Sequence, residues 1–213
     1  MKRRRFLSLV GALAGGGVLL GPDLVLALLR CQDYPQYSTR QCEAGIDSSV
    51  LDVTAAAVGG QHMEQWCWAA CIEMVFHYYG FVVPQERLVR ETWGEIYNQP
   101  ADPATILANL NRAWVDDRGR GFTAVGDVFT ANVVTAAQDL SENMPLIIGT
   151  MGHAMVLTSM LYYCSGWTGF GWTTCGLNSA VVRDPWPGRG RRQLTPQEWM
   201  ATSFLARIRV QGT

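Results

Sequence analysis

The 213-residue chain is poor in charge. Asp, Glu, Lys and Arg make up 16% of it, its formal net charge is −1, and Lys2 is its one lysine. Proteins that hold nucleic acid carry clustered cations to neutralise phosphates. Beyond residue 27 this chain has 13 cations against 17 anions, a net of −4, so no electrostatic case for nucleic acid exists. Long apolar runs are also missing. A membrane-spanning helix needs about 20 consecutive apolar residues, and the stretch from Phe6 to Ala27 is broken by Gly15-Gly16-Gly17, Gly21-Pro22 and Asp23. Histidine is limited to His62, His77 and His153. Cys67-x₃-Cys71 with His62 nearby lacks the usual zinc spacing, and no metal or cofactor is expected. Internal repeats and low-complexity segments are absent after the first 27 residues.

What is present begins with Lys2-Arg3-Arg4-Arg5 followed by an apolar stretch. That order is the signal-peptide pattern, and Arg3-Arg4-Arg5-Phe6-Leu7 fits the twin-arginine form. Residues 1–27 are read as an export leader, cleaved after Ala27, with membrane contact only through it. An uncleaved anchor is the competing reading. Leu28-Leu29-Arg30-Cys31 resembles a lipoprotein box, but Arg30 argues against lipidation. Export to the periplasm or beyond implies a compartment that permits disulfides. Of the six cysteines, Cys31 and Cys42 are eleven apart, as are Cys164 and Cys175. Each pair could close a small loop, although spacing does not prove connectivity. Cys67 and Cys71 would then remain, one helical turn apart.

Residues 28–48 are polar and read as an irregular arm before a domain spanning 49–213. Val50–Val58 suggests a short strand. Residues 66–79 are apolar on nearly every side and end at Gly80, which predicts a buried helix. Its polar residues, Glu73 and His77, stand at i, i+4 and suggest a local pair. Further helices are expected over 84–93, 102–114 and 131–142, each with a suitable start signal. The chain then turns to strands over 144–151 and 154–163, a glycine- and aromatic-rich loop over 165–178, and a strand over 180–183. A short helix over 195–201 and a strand over 204–210 complete it. Helices first and strands last is the α+β pattern.

Thiol chemistry needs an ionisable sulfur, a base and a stabiliser for the oxyanion. Cys67 stands at the start of the predicted helix, where free N–H groups favour an anion, whereas Cys71 lies a turn deeper. His153, in Met151-Gly152-His153-Ala154-Met155, sits between two apolar strands, where a base could be presented by the sheet. Asp184 could accept the imidazole Nδ1–H and orient the ring; a surface pair with adjacent Arg183 is the plainer reading. Gln61, six residues before Cys67, could donate to an oxyanion together with the Cys67 N–H. Gln65 is the competing amide, but is very close in sequence. His62, in the loop before the helix, could be merely solvated.

Gln61-His62-Met63-Glu64-Gln65-Trp66-Cys67-Trp68-Ala69-Ala70 resembles the opening motif of the papain-like cysteine peptidases. The Gln-Trp-Cys-Trp-Ala-Ala form is closest to a bacterial branch that includes a plant-pathogen effector protease and bacteriocin-processing peptidase domains. Gly152-His153-Ala154 is similar to the histidine segment of that family. Asp184-Pro185-Trp186 stands where the family has Asn-Ser-Trp, with aspartate in place of asparagine. The resemblance covers roughly residues 50–210. It implies a papain-like fold, with a buried N-terminal helix against a C-terminal antiparallel sheet, and endopeptidase activity through an acyl-enzyme. Cys67 would be the nucleophile, His153 the acid and base, Asp184 the orienting group and Gln61 the oxyanion donor, with a peptide or protein as substrate. A transglutaminase-like or amidase domain shares the Cys, His, Asp order, and a silent binding module would keep the fold; Gln61 and Trp186 favour the peptidase.

Overall fold

The computed structural model describes residues 28–169 and 171–212; the leader expected over 1–27 lies outside them. In chain order the elements are β1 (Leu28–Tyr34), β2 (Thr39–Gly45), α1 (Ser48–Val58), α2 (Cys67–Tyr78), α3 (Gln85–Trp93), α4 (Pro103–Leu110), β3 (Arg112–Val115) and β4 (Gly121–Phe129). There follow α5 (Val133–Ser141), β5 (Leu146–Thr150), β6 (His153–Thr168), β7 (Gly171–Asp184), β8 (Gly190–Gln193), α6 (Pro196–Met200) and β9 (Thr202–Gly212). The architecture is α+β, with helices against one large antiparallel sheet.

The sheet runs β1-β2-β6-β5-β9-β4-β3, with β7 paired to β6 and β8 to β7. The length of β6 explains the branching. Its first residues pair with β5 and its later ones with β2, while β7 runs along the opposite edge. β5 is buried at all five positions, which is why its sequence reads as a continuous apolar run rather than an alternation.

α2 is the buried helix that its all-round apolar sequence demands. Trp66, Trp68, Ile72, Met74, Val75 and Phe76 are each at most 1% exposed. Phe76 meets Trp114 and Phe122 of the β3–β4 hairpin edge-on, at centroid separations of 5.7 and 5.0 Å. The indole N–H groups of Trp66 and Trp68 donate to the carbonyls of Tyr97 and Gln99. A polar tip thereby finds a partner while the ring stays buried, and the loop after α3 is drawn over the start of α2.

Several expected elements differ. Val50–Val58 is helical: Asp47 caps α1 by accepting the Ser49 N–H, and the three alanines at 55–57 fit a helix better than a strand. Residues 28–45 form a hairpin joined to the sheet through β6, not an irregular arm. The helix expected over 102–114 ends at Leu110, and β3 follows. The glycine-rich segment 165–178 is the far half of a long β6–β7 hairpin, whose cross-strand pairing overrides its turn-like composition. Disulfides Cys31–Cys42 and Cys164–Cys175 staple the two hairpins, a kind of bond that persists in oxidising surroundings. Among the described residues no helix is long and apolar enough to cross a membrane.

One close approach couples the fold to the loops around α2. Gly60 packs against the chain after β7, and the Gln61 N–H donates to the Pro185 carbonyl at 2.7 Å. A Cβ on Gly60 would stand 2.8 Å from that same carbonyl oxygen, a backbone atom with little freedom to retreat. Gly60→Ala is expected to lower unfolding free energy by about 1–3 kcal/mol, read from urea unfolding; an unchanged midpoint would refute the contact.

Candidate active site

Cys67 is the first residue of α2. No side chain caps this helix, so its leading N–H groups are not consumed by a cap and face the thiol's end of the helix. Cys67 is a free thiol with 9% exposure, whereas Cys71, also free, is sealed at 0%. Burial, together with Cys67 and Asp184 nearby, pushes the Cys71 thiol well above its ordinary range.

His153 is presented by a tight turn. Thr150 of β5 pairs with His153 of β6, and the two residues between them, Met151 and Gly152, have φ of 50° and 77°. Positive φ at both central positions is the backbone of a two-residue hairpin. The imidazole therefore starts a strand whose partner fixes its height. Asp184, the last residue of β7, lies across from it, and His153 Nε2 stands 2.7 Å from Asp184 Oδ1. The carboxylate thus meets Nε2, not the Nδ1 expected from the sequence. The Cys67 side chain stands beside the same imidazole.

Asp184 has no side-chain exposure. Its Oδ1 also accepts the Trp186 N–H at 2.9 Å, and its Oδ2 accepts Arg192 Nε at 2.8 Å, with Arg189 Nη1 farther off at 3.5 Å. The plainer pairing of Asp184 with Arg183 does not occur, because Arg183 turns to Asp52. Burial alone would raise the Asp184 carboxyl, but hydrogen bonds from His153, the Trp186 N–H and Arg192 hold it well below the usual range. Burial likewise works against a charged His153. The bond to Asp184 and the contact with Cys67 outweigh it and lift the imidazole to about 9. The Trp186 ring stands edge-on to the imidazole at 6.4 Å.

Two cavities meet at this group. One, of about 320 Å³, is walled by apolar Trp68, Pro103, Ile106 and Phe204. The other, of about 410 Å³, is lined by Glu64, Gln65, Arg189 and Glu198. Cys67, Thr150, Gly152 and His153 line both, so thiol and imidazole sit where an apolar half of the cleft joins a polar half.

Gln61 is not brought into that cleft. It is buried, and its Nε2 donates to the carbonyls of Met63 and Glu64 at 3.0 and 2.7 Å, leaving Oε1 without a partner. Both N–H bonds of the amide are thus occupied. Gln65 lines the polar cavity. The remaining histidines lie elsewhere. His62 Nδ1 pairs with Glu86 at 2.6 Å on the surface. The expected Glu73–His77 pair does not form: Glu73 Oε2 and His77 Nε2 are both buried without a partner, and burial pushes the Glu73 carboxyl up to about 7.

Arg192 is the member of the group that sequence reasoning missed. It sits in Gly188-Arg189-Gly190-Arg191-Arg192, a run that reads as solvated charge. The available signal was alternation along β8, which turns Gly190 and Arg192 inward and Arg191 and Gln193 out, but that strand was not expected.

The pH dependence of stability follows from His153. Its folded-state pKa is raised, so the imidazolium's contribution is fully present below about pH 6.5 and is lost as pH rises through about 9. Urea unfolding of the protein and of His153→Gln should give a stability difference that shrinks across that window; a difference independent of pH would contradict the raised value. In comparisons with known proteins, no family model matches the chain and no curated protein matches it.

Proposed function

We propose that the chain is a papain-like cysteine endopeptidase that acts outside the cytoplasm. The observation that carries this reading is one imidazole held between the Cys67 thiol and the buried Asp184 carboxylate at the floor of an open cleft. The motif around Cys67, with its buried helix against an antiparallel sheet, supports a papain-like fold. The two disulfides and the charged-then-apolar leader support export.

In this mechanism Cys67, as thiolate beside the His153 imidazolium, attacks the carbonyl carbon of a peptide bond. The S–C bond forms, and the carbonyl π electrons move to oxygen. The Cys67 N–H at the helix start donates to that oxyanion. His153 passes its proton to the amide nitrogen, the C–N bond breaks, and the amine leaves. The imidazole, now neutral, takes a proton from water, whose oxygen attacks the thioester and releases the acid and the thiol. Asp184 keeps the ring in place throughout. Gln61 can join the oxyanion only by giving up the Met63 or Glu64 carbonyl, and Gln65 is the amide already in the cleft. Walls of Trp68, Ile106 and Phe204 suit an apolar substrate side chain beside the scissile bond.

The test pairs labelling with cleavage. Iodoacetamide followed by peptide mapping should modify Cys67 far ahead of Cys71. An unfolded protein substrate should be cut by the native enzyme, and at least about a thousandfold more slowly by Cys67→Ala. Undiminished cleavage by that variant, or equal labelling of the two thiols, would refute the proposal, and faster incorporation of an added amine than of water would reassign it to acyl transfer.

A further inference from the structure

A carboxylate with no exposure is costly to keep ionised unless each oxygen is compensated. At Asp184 the two oxygens are compensated differently. Oδ1 is shared by His153 and the Trp186 N–H, while Oδ2 is held by Arg192 Nε at 2.8 Å and more loosely by Arg189. Arg192 cannot drift from this position. Its Nη1 and Nη2 clamp the Glu198 carboxylate at 3.0 and 2.6 Å, and Nη2 also stands 3.0 Å from the Met155 sulfur. Glu198 is itself fixed by the capping box of α6, where it accepts the Thr195 N–H and Thr195 Oγ1 accepts its own N–H. The guanidinium therefore uses its planar fork on Glu198 and its remaining edge on Asp184, a geometry that lysine cannot reproduce.

We propose that Arg192 is a positioning residue. It pins Asp184 Oδ2 so that Oδ1 stays aimed at His153, and it offsets the charge of the buried carboxylate. The inference rests on the peptidase reading of the site. The charged and titratable groups around His153 are Cys67 from α2, Asp184 from β7, and Arg189, Glu198 and Glu64 across the polar cavity, with Arg192 behind Asp184. Among the cations, Arg192 makes the closest bond to the carboxylate that His153 feels, so its removal strengthens that carboxylate's pull on the imidazolium.

The test is a titration of the His153 ring by NMR in the full chain, tractable because the chain has only three histidines. In Arg192→Gln the His153 midpoint should move upward by about half a pH unit or more. In Arg192→Lys, which keeps the charge without the fork, it should stay near the native value. The high-pH limb of kcat/KM on a fluorogenic peptide should follow the same order, with kcat/KM at neutral pH reduced about tenfold or more in Arg192→Gln. Asp184→Asn should be impaired while Arg192 Nε faces it without a carboxylate to meet, and Asp184→Asn with Arg192→Gln should recover activity over that single variant. An Arg192→Gln midpoint equal to the native one, in a variant with a native circular dichroism spectrum, overturns the proposal, as does a double variant no better than Asp184→Asn. Should Arg192→Gln not fold, the Asp184→Asn pair of variants decides. If the NMR shifts appear but native protein cuts no peptide, the peptidase reading fails and the Arg192 assignment stands.

Discussion

The bond between His153 and a fully buried Asp184 constrains much of the surrounding structure. A carboxylate removed from water must be met by donors on every side, and here the donors come from separate parts of the chain. The imidazole comes from the start of β6, a backbone N–H from the segment after β7, and a guanidinium from β8. That guanidinium is in turn braced by a glutamate in the first turn of α6. The ring and the guanidinium are delivered by strands, and rigid elements are how a site keeps its geometry to within a fraction of an ångström.

The cleft follows from the same arrangement. α2 must be buried because almost nothing on it is polar, and its N-terminus emerges beside the β5–β6 turn that carries His153. The helix start supplies unconsumed N–H groups, the turn supplies the ring, and the loop tethered by Trp66 and Trp68 closes one wall. Cys71, one turn along the same helix, shows the contrast: with no access and an elevated thiol, it is a packing residue. A displacement of four residues along one helix separates a thiol that lines the cleft from one that is sealed.

How much of this could be read from sequence varied with the physics involved. α2 was legible because a stretch of that length, apolar on every side and closed by Gly80, fits a buried helix and little else. Cys67, His153 and Asp184 were legible as a set through motif likeness, and the structure brings those three together. The ring nitrogen facing Asp184 was not legible, since it depends on strand register and side-chain rotation. The β6–β7 hairpin was hidden because its glycines and aromatics signal a loop locally, while its stability comes from cross-strand partners in β2 and from the Cys164–Cys175 bond. Gln61 was singled out by spacing alone, and spacing says nothing of the carbonyls of Met63 and Glu64 that occupy its amide. Arg192 went unseen because an arginine among arginines has no local signature of burial.

The proposed function turns on Cys67 forming a covalent acyl intermediate. Acid-quenching the protein after mixing it with an activated peptide ester, then mapping the digest by mass spectrometry, tests it directly. The account predicts an acyl adduct on the peptide that contains Cys67, lost on treatment with hydroxylamine as a thioester should be. An adduct on a different residue, or turnover with no adduct under conditions that slow deacylation, would contradict it.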